Sequence, residues 1–124
     1  MAKKILLIDD EELIAKSLQK LLSLHGYKVD VIQDASKALQ RIKEEDFDLI
    51  ISDIRMPEMD GIETIMQIRQ YLQESKKQLI PEVLITGYAD LDKYEKAKEL
   101  NVARYVNKPF DNDEFLQITK EILN

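Results

Sequence analysis

Hydrophobic and polar positions follow two alternating rhythms along the chain. Ile5–Ile8 is a continuous apolar run of strand length, and Glu11–Leu24 repeats apolar residues at helical spacing until Gly26 stops it. Tyr27–Ile32, with β-branched Val29, Val31 and Ile32, predicts a second strand. Ser36–Glu45 predicts a second helix, with Asp34 or Ser36 as its cap. Leu49, Ile50 and Ile51 predict a third strand that runs into Ser52 and Asp53, followed by the loop RMPEMDG. Asp60-x-x-Glu63 has the form of a capping box opening a helix through Ile62, Ile65, Met66, Ile68 and Arg69. Pro81 precedes a fourth strand, VLIT, and Asp90–Leu100 predicts a helix ended by Asn101, a residue that tolerates a left-handed position. Ala103–Asn107 predicts a short fifth strand, and Asp111-x-x-Glu114 a second capping box for a last helix to Leu123.

The pattern is βα repeated five times. The first and third strands are apolar without alternation, as expected of strands covered on both faces. Alternating βα units with right-handed crossovers give an α/β fold: a parallel sheet with helices on both sides. The chain is too short for a barrel of eight such units. A five-stranded, doubly wound sheet in the order 2-1-3-4-5 is the expected architecture. Ligands of such sheets lie beyond the carboxyl ends of the strands, at the switch point between the first and third.

That location gives meaning to the stretch ILLIDDEE, in which four aliphatic residues are followed by four acids. Asp9 and Asp10 stand at the carboxyl end of the first strand and Asp53 at that of the third, so one crevice receives all of them. Any one aspartate at a strand-to-helix junction can be a helix cap, and Asp9 or Asp10 could cap the first helix. For Asp53 a cap is a poorer explanation, because Arg55, Met56 and Pro57 start no helix at once. Like charges this close raise one another's pKa unless a counter-charge intervenes. A hard divalent cation such as Mg2+, held by carboxylates, water and phosphate oxygens, is the natural counter-charge. Thr86 ends the fourth strand with a hydroxyl and Lys108 ends the fifth with an ammonium group. Acids, a hydroxyl and an amine around a cation describe a phosphoryl site, and a carboxylate can itself become the phosphoryl acceptor.

Composition narrows the choice. The chain has 124 residues, enough for one domain with a real core, and neither a linker nor an internal repeat is visible. It has no cysteine, which removes disulfides, thiol catalysis and thiolate metal sites. Its single histidine, His25, reads as a helix-terminal surface residue and excludes zinc sites that need two. A net charge of -6 provides no overall basic footprint for nucleic acid. The apolar run after the basic residues of MAKK is too short for a signal peptide or a membrane span. The three glycines, Gly26, Gly61 and Gly87, form neither GxGxxG nor a P-loop, so a dinucleotide or nucleotide site is not expected. A flavin phosphate would meet DDEE where it needs a cradling loop.

Taken together, IDDEE at 8–12, SDIRMPEMDG at 52–61, ITGYA at 85–89 and YVNKPF at 105–110 resemble the receiver domain of two-component response regulators, over essentially residues 1–124. The resemblance implies a flavodoxin- and CheY-like fold, in which the order 2-1-3-4-5 is the family's own. It implies that Asp53 is the phosphoacceptor, that Asp9 and Asp10 hold Mg2+ with Asp53 and the Arg55 backbone carbonyl, and that Thr86 and Lys108 bind phosphoryl oxygens. Tyr105 falls at the family's aromatic switch position, and the Lys108–Pro109 bond is expected to be cis. The implied donor is a phosphohistidine on a sensor histidine kinase or phosphotransfer protein in the cytoplasm. The implied output surface is the helix predicted over 90–100, the fifth strand and the last helix. That face could also join two copies as a homodimer or meet a C-terminal effector domain or downstream protein. Such a domain is a signalling switch that catalyses only its own phosphorylation and dephosphorylation. It binds neither nucleic acid nor membrane directly.

Some features stand apart from the family pattern. Asn101-Val102 occupies a position where Gly-Ala is frequent, and the polar stretch from Gln70 to Pro81 is long, so the third helix is expected to overrun or a loop to bulge. Arg55 and Tyr88 flank the phosphoryl position and are expected to restrict water and lengthen the phosphoryl lifetime. The first helix carries Leu13, Ile14, Leu18, Leu21, Leu22 and Leu24, more than one buried stripe needs, and Leu13 or Ile14 could reach a kinase's helices. Two other classes compete with the switch. A haloacid-dehalogenase-like phosphohydrolase would place D-x-D after the first strand, where this chain has Asp9-x-Glu11 and no residues for a cap domain. A degenerate receiver that works without phosphate is opposed by the intact acids, Thr86 and Lys108.

Overall fold

The first and third strands carry unbroken aliphatic runs, Ile5–Ile8 and Leu49–Ile51, and both end up in the interior. In the computed structural model, which describes residues 2–56, 60–87, 95–96 and 98–124, Ile5–Ile8 and Leu49–Ile51 are fully buried. The strands are β1 (Lys4–Ile8), β2 (Lys28–Ile32), β3 (Leu49–Asp53), β4 (Glu82–Thr86) and β5 (Arg104–Asn107). They form one sheet in the order β2-β1-β3-β4-β5 with every pairing parallel, the order that the family resemblance implies.

Side chains alternate across this sheet and feed cores on both faces. On one face Ile5, Leu7, Leu49, Ile51, Val83, Ile85 and Val106 meet α1 (Glu12–Leu24) and the C-terminal helix (Asn112–Leu123). On the other, Leu6, Ile8 and Ile50 meet α2 (Ala38–Glu44) and α3 (Gly61–Glu74). Burying each such Leu or Ile is worth roughly 1.5–3 kcal/mol, so the central strands anchor the fold that presents their carboxyl ends. The outer strands are shorter in apolar content. Asp30 of β2 is held by Arg41, and Arg104 of β5 pairs with Glu121 at 3.4 Å.

The helix ends follow local chemistry. Gly26 (φ 91°) closes α1, with its N–H donating to the Ser23 carbonyl and that of Tyr27 to the Leu22 carbonyl. Lys76 (φ 58°) closes α3 in the same way, with Lys77 N–H on the Leu72 carbonyl at 2.8 Å. The polar stretch after Gln70 is thus first an extra turn of helix to Glu74 and then a lysine in a glycine-like conformation. Asn101 (φ 54°) takes the left-handed position expected of it. Asp60 accepts from the Glu63 N–H at 2.8 Å. Asp111 accepts from Asp113 rather than Glu114, so that cap engages one residue earlier than a capping box would. The second helix is preceded by a tighter turn at Ala35–Lys37, which Asp34 caps through Ser36. The helix predicted over 90–100 is helical at 95–96 and 98–99; residues 90–94 lie outside the described residues.

Candidate functional site

The carboxyl ends of β1 and β3 lie side by side because Ile8 pairs with Ser52 across them. The next residues along, Asp9 and Asp53, are therefore drawn below the surface, 0% and 2% exposed. Asp10 lies nearer the solvent. One carboxylate oxygen from each of Asp9, Asp10 and Asp53 lies within 4.8 Å of the other two.

Asp9 does not cap the first helix. Its Oδ1 accepts from the Glu11 N–H at 2.9 Å, and Glu11, which makes no side-chain cap, stands at the helix start. Asp9 Oδ2 is buried with no hydrogen-bond partner. Burial, with Asp53 adding to it, raises the Asp9 pKa from 3.8 to about 6. Burial also raises Asp53, against the opposing pull of Lys108 and the Arg55 N–H. An orphaned buried oxygen beside two more carboxylates is what a hard cation with oxygen ligands requires, so the residues fit such an ion.

Lys108 comes from the far side of the sheet. β5 ends at Asn107, and the next peptide, Lys108–Pro109, is cis. The ammonium donates to Asp53 Oδ2 at 2.6 Å and lies 3.4 Å from Glu11 Oε1. Burial works against the Lys108 charge, but the pairing with Asp53 outweighs it and raises its pKa. The other oxygen, Asp53 Oδ1, accepts from the Arg55 N–H at 3.2 Å, which fixes the carboxylate plane.

Thr86 is buried at the end of β4, beside this cluster, but its hydroxyl donates to Asn107 Oδ1 at 2.7 Å. Tyr105 is half-buried and packs against the cluster of Ile54, Ile62, Ile65, Leu84 and Val102. Tyr88 lies outside the described residues, and Arg55 is exposed.

The sequence reading assigned no role to three residues that shape the site. Ser52 donates to the Asp53 carbonyl at 3.0 Å. Gly61 packs on the strand end so closely that a Cβ there would overlap the Asp53 carbonyl oxygen and come to 3.0 Å from Ser52 Oγ. Its N–H donates to the Ile54 carbonyl at 2.8 Å. Asn107, inside the YVNKPF stretch, is the third. The spacing of Gly61 after Asp53 could have pointed to a close approach; nothing in the sequence distinguishes Asn107 from a surface residue.

The model of the response regulator receiver domain family matches residues 5–120. The chain is 37% identical over 115 residues to the transcriptional regulatory protein ZraR of Klebsiella oxytoca, covering 93% of this chain and 25% of that protein. It is 32% identical to sporulation initiation phosphotransferase F of Bacillus subtilis, covering 99% of this chain and 95% of the relative. A signal receiver domain of an HD domain-containing protein from Pseudomonas fluorescens superposes with a TM-score of 0.86 at 35% identity, over 99% of this chain and 95% of that one. The chain thus spans a quarter of the first relative and nearly all of the second.

Proposed function

The chain belongs to the response regulator receiver domain family, and from that premise we propose that Asp53 accepts a phosphoryl group from a phosphohistidine of a sensor kinase or phosphotransfer protein. The observation that carries this reading is the Lys108 ammonium held 2.6 Å from Asp53 within a cluster of three carboxylates, one oxygen of which is buried without a partner. Asp9, Asp10, Asp53 and the Arg55 carbonyl would hold Mg2+. When bound, the ion supplies a Lewis acid that offsets the charge of the carboxylates and the incoming phosphoryl group.

The remaining chemistry falls to the protein. An Asp53 carboxylate oxygen attacks phosphorus; a P–O bond forms as the P–N bond of the donor breaks, and the imidazole leaves with the electron pair and takes up a proton. Lys108 already touches Asp53 and can follow its oxygen onto the phosphoryl group, where charge builds. Burial keeps bulk water from Asp53. In this sense the domain promotes its own phosphorylation.

Phosphorylation adds charge and acceptor oxygens at one strand end. Thr86 moves toward them, and the Tyr105 ring turns into the space it leaves, biasing an equilibrium between two arrangements of the same fold. Docking of the donor is supported by Leu13, 82% exposed, beside a groove of about 320 Å3 lined by Ile14, Leu18, Pro109 and Phe110. No helix among the described residues is long and apolar enough to cross a membrane. A cytoplasmic location, an effector domain or downstream partner, and a homodimer through the face made by the helix predicted over 90–100, β5 and the last helix belong to the same reading.

Intact mass after incubation with acetyl phosphate tests it. One added phosphoryl group is expected, dependent on Mg2+ and absent in Asp53→Asn. Equal labelling of Asp53→Asn would sink the assignment. Phosphate release without an adduct would favour rapid turnover or a hydrolase, and neither adduct nor release a receiver that works without phosphate.

A further inference from the structure

Thr86 stands at the end of β4 with its hydroxyl already engaged. The register that sets Thr86 opposite Asn107 puts both side chains on one side of the sheet, and Thr86 Oγ1 donates to Asn107 Oδ1 at 2.7 Å. The backbone ties the same two strand ends, with Lys108 N–H on the Thr86 carbonyl at 2.7 Å. Rotating the Thr86 side chain therefore breaks the bond to Asn107 and leaves the main chain in place. Asn107 is exposed while Thr86 is 2% exposed, so the asparagine reaches inward to a buried hydroxyl rather than being packed there.

A threonine hydroxyl carries one proton. It cannot donate to Asn107 and to a phosphoryl oxygen at the same time. We propose that Asn107 is a latch: it holds the Thr86 hydroxyl in the unphosphorylated protein, and the bond must break before Thr86 can bind the phosphoryl group. The inference rests on Asp53 as the phosphoacceptor and adds a positioning residue that sets how easily the domain switches. The exchange trades a neutral hydrogen bond for a charge-assisted one, so it runs toward the phosphoryl group, but against the latch. The net worth of one neutral hydrogen bond makes the latch an on-the-order-of-fivefold brake.

Beryllofluoride, a non-covalent phosphoryl mimic, measures it by calorimetric titration in Mg2+. Asn107→Ala is expected to bind about fivefold tighter than wild type. Asn107→Leu, close to Asn in size but without an acceptor, should do the same, which separates the lost bond from a cavity. In a Thr86→Val background, Asn107→Ala should change nothing. Equal or weaker binding by Asn107→Ala overturns the latch; weaker binding would mean that Asn107 presents its NH2 group and steers the hydroxyl toward the phosphoryl group. The same gain in Thr86→Val also overturns it. A wild type that binds no more beryllofluoride than Asp53→Asn overturns the phosphoacceptor reading, and the latch with it.

Discussion

Replacing Asp9 with asparagine should make the metal-free protein more stable, even though it removes one of the proposed Mg2+ ligands. Asp9 is fully buried, one of its oxygens has no partner, and burial lifts its pKa from 3.8 to about 6. A carboxyl that holds its proton more tightly in the folded state than in the unfolded one costs stability as pH rises. The cost starts as pH passes 3.8, where the unfolded chain ionises, and is complete once pH passes about 6. Each tenfold difference in proton affinity is about 1.4 kcal/mol, so the penalty is about 3 kcal/mol at pH 7.5 and about 1 kcal/mol at pH 4.5. Asparagine keeps an oxygen for the Glu11 N–H and brings no charge. Thermal unfolding in chelator should show Asp9→Asn melting about 10 °C above wild type at pH 7.5, with a much smaller gap at pH 4.5. Added Mg2+ should stabilise wild type at pH 7.5 and Asp9→Asn far less. A variant no more stable than wild type at pH 7.5, or a gain that ignores pH, would refute the reasoning.

Other expectations follow from single contacts. Arg69 grips the buried Glu82 through Nε at 2.8 Å and a terminal nitrogen at 2.6 Å, so Arg69→Ala leaves an unpaired buried carboxylate. It should cost about 3–5 kcal/mol in urea unfolding, and a loss below about 1 kcal/mol would contradict the pairing. Gly61→Ala forces a methyl against the Asp53 carbonyl; it should cost about 1–3 kcal/mol and slow labelling by acetyl phosphate, and unchanged labelling would show the strand end does not need that close approach. Lys76→Gly relieves a left-handed lysine and should add about 1 kcal/mol of stability in the same denaturation assay, with no gain counting against a strained helix end.

The parallel sheet and the position of the acids at its carboxyl edge were legible in the sequence because Ile5–Ile8 and Leu49–Ile51 are unbroken aliphatic runs that lead into Asp9, Asp10 and Asp53, whereas the strand order that brings those acids together came with the family resemblance. Gly26 and Asn101 were legible as helix ends for a similar reason: few residues accept their backbone angles. Lys76 was not, because lysine carries no mark of a positive φ, so the length of the third helix stayed ambiguous between an overrun and a bulge. The helix cap that Asp9 or Asp10 could have made is absent, since tertiary burial draws Asp9 into the crevice and leaves Glu11 at the helix start. Asn107 was hidden for a different reason. Its partner is set by the β4–β5 register, a property of two segments about twenty residues apart in sequence.

The two outer strands carry a consequence for how copies of this protein can meet. β2 and β5 are only five and four residues long, and Asp30 and Arg104 hang on them, each tethered to a helix of the same molecule. Short edges guarded by charge make poor templates for a neighbour's backbone, which is how natural sheets avoid polymerising. Assembly, where it occurs, is thereby steered to helix surfaces, so its strength can be tuned by side chains without exposing the protein to the edge-to-edge stacking that leads to fibres.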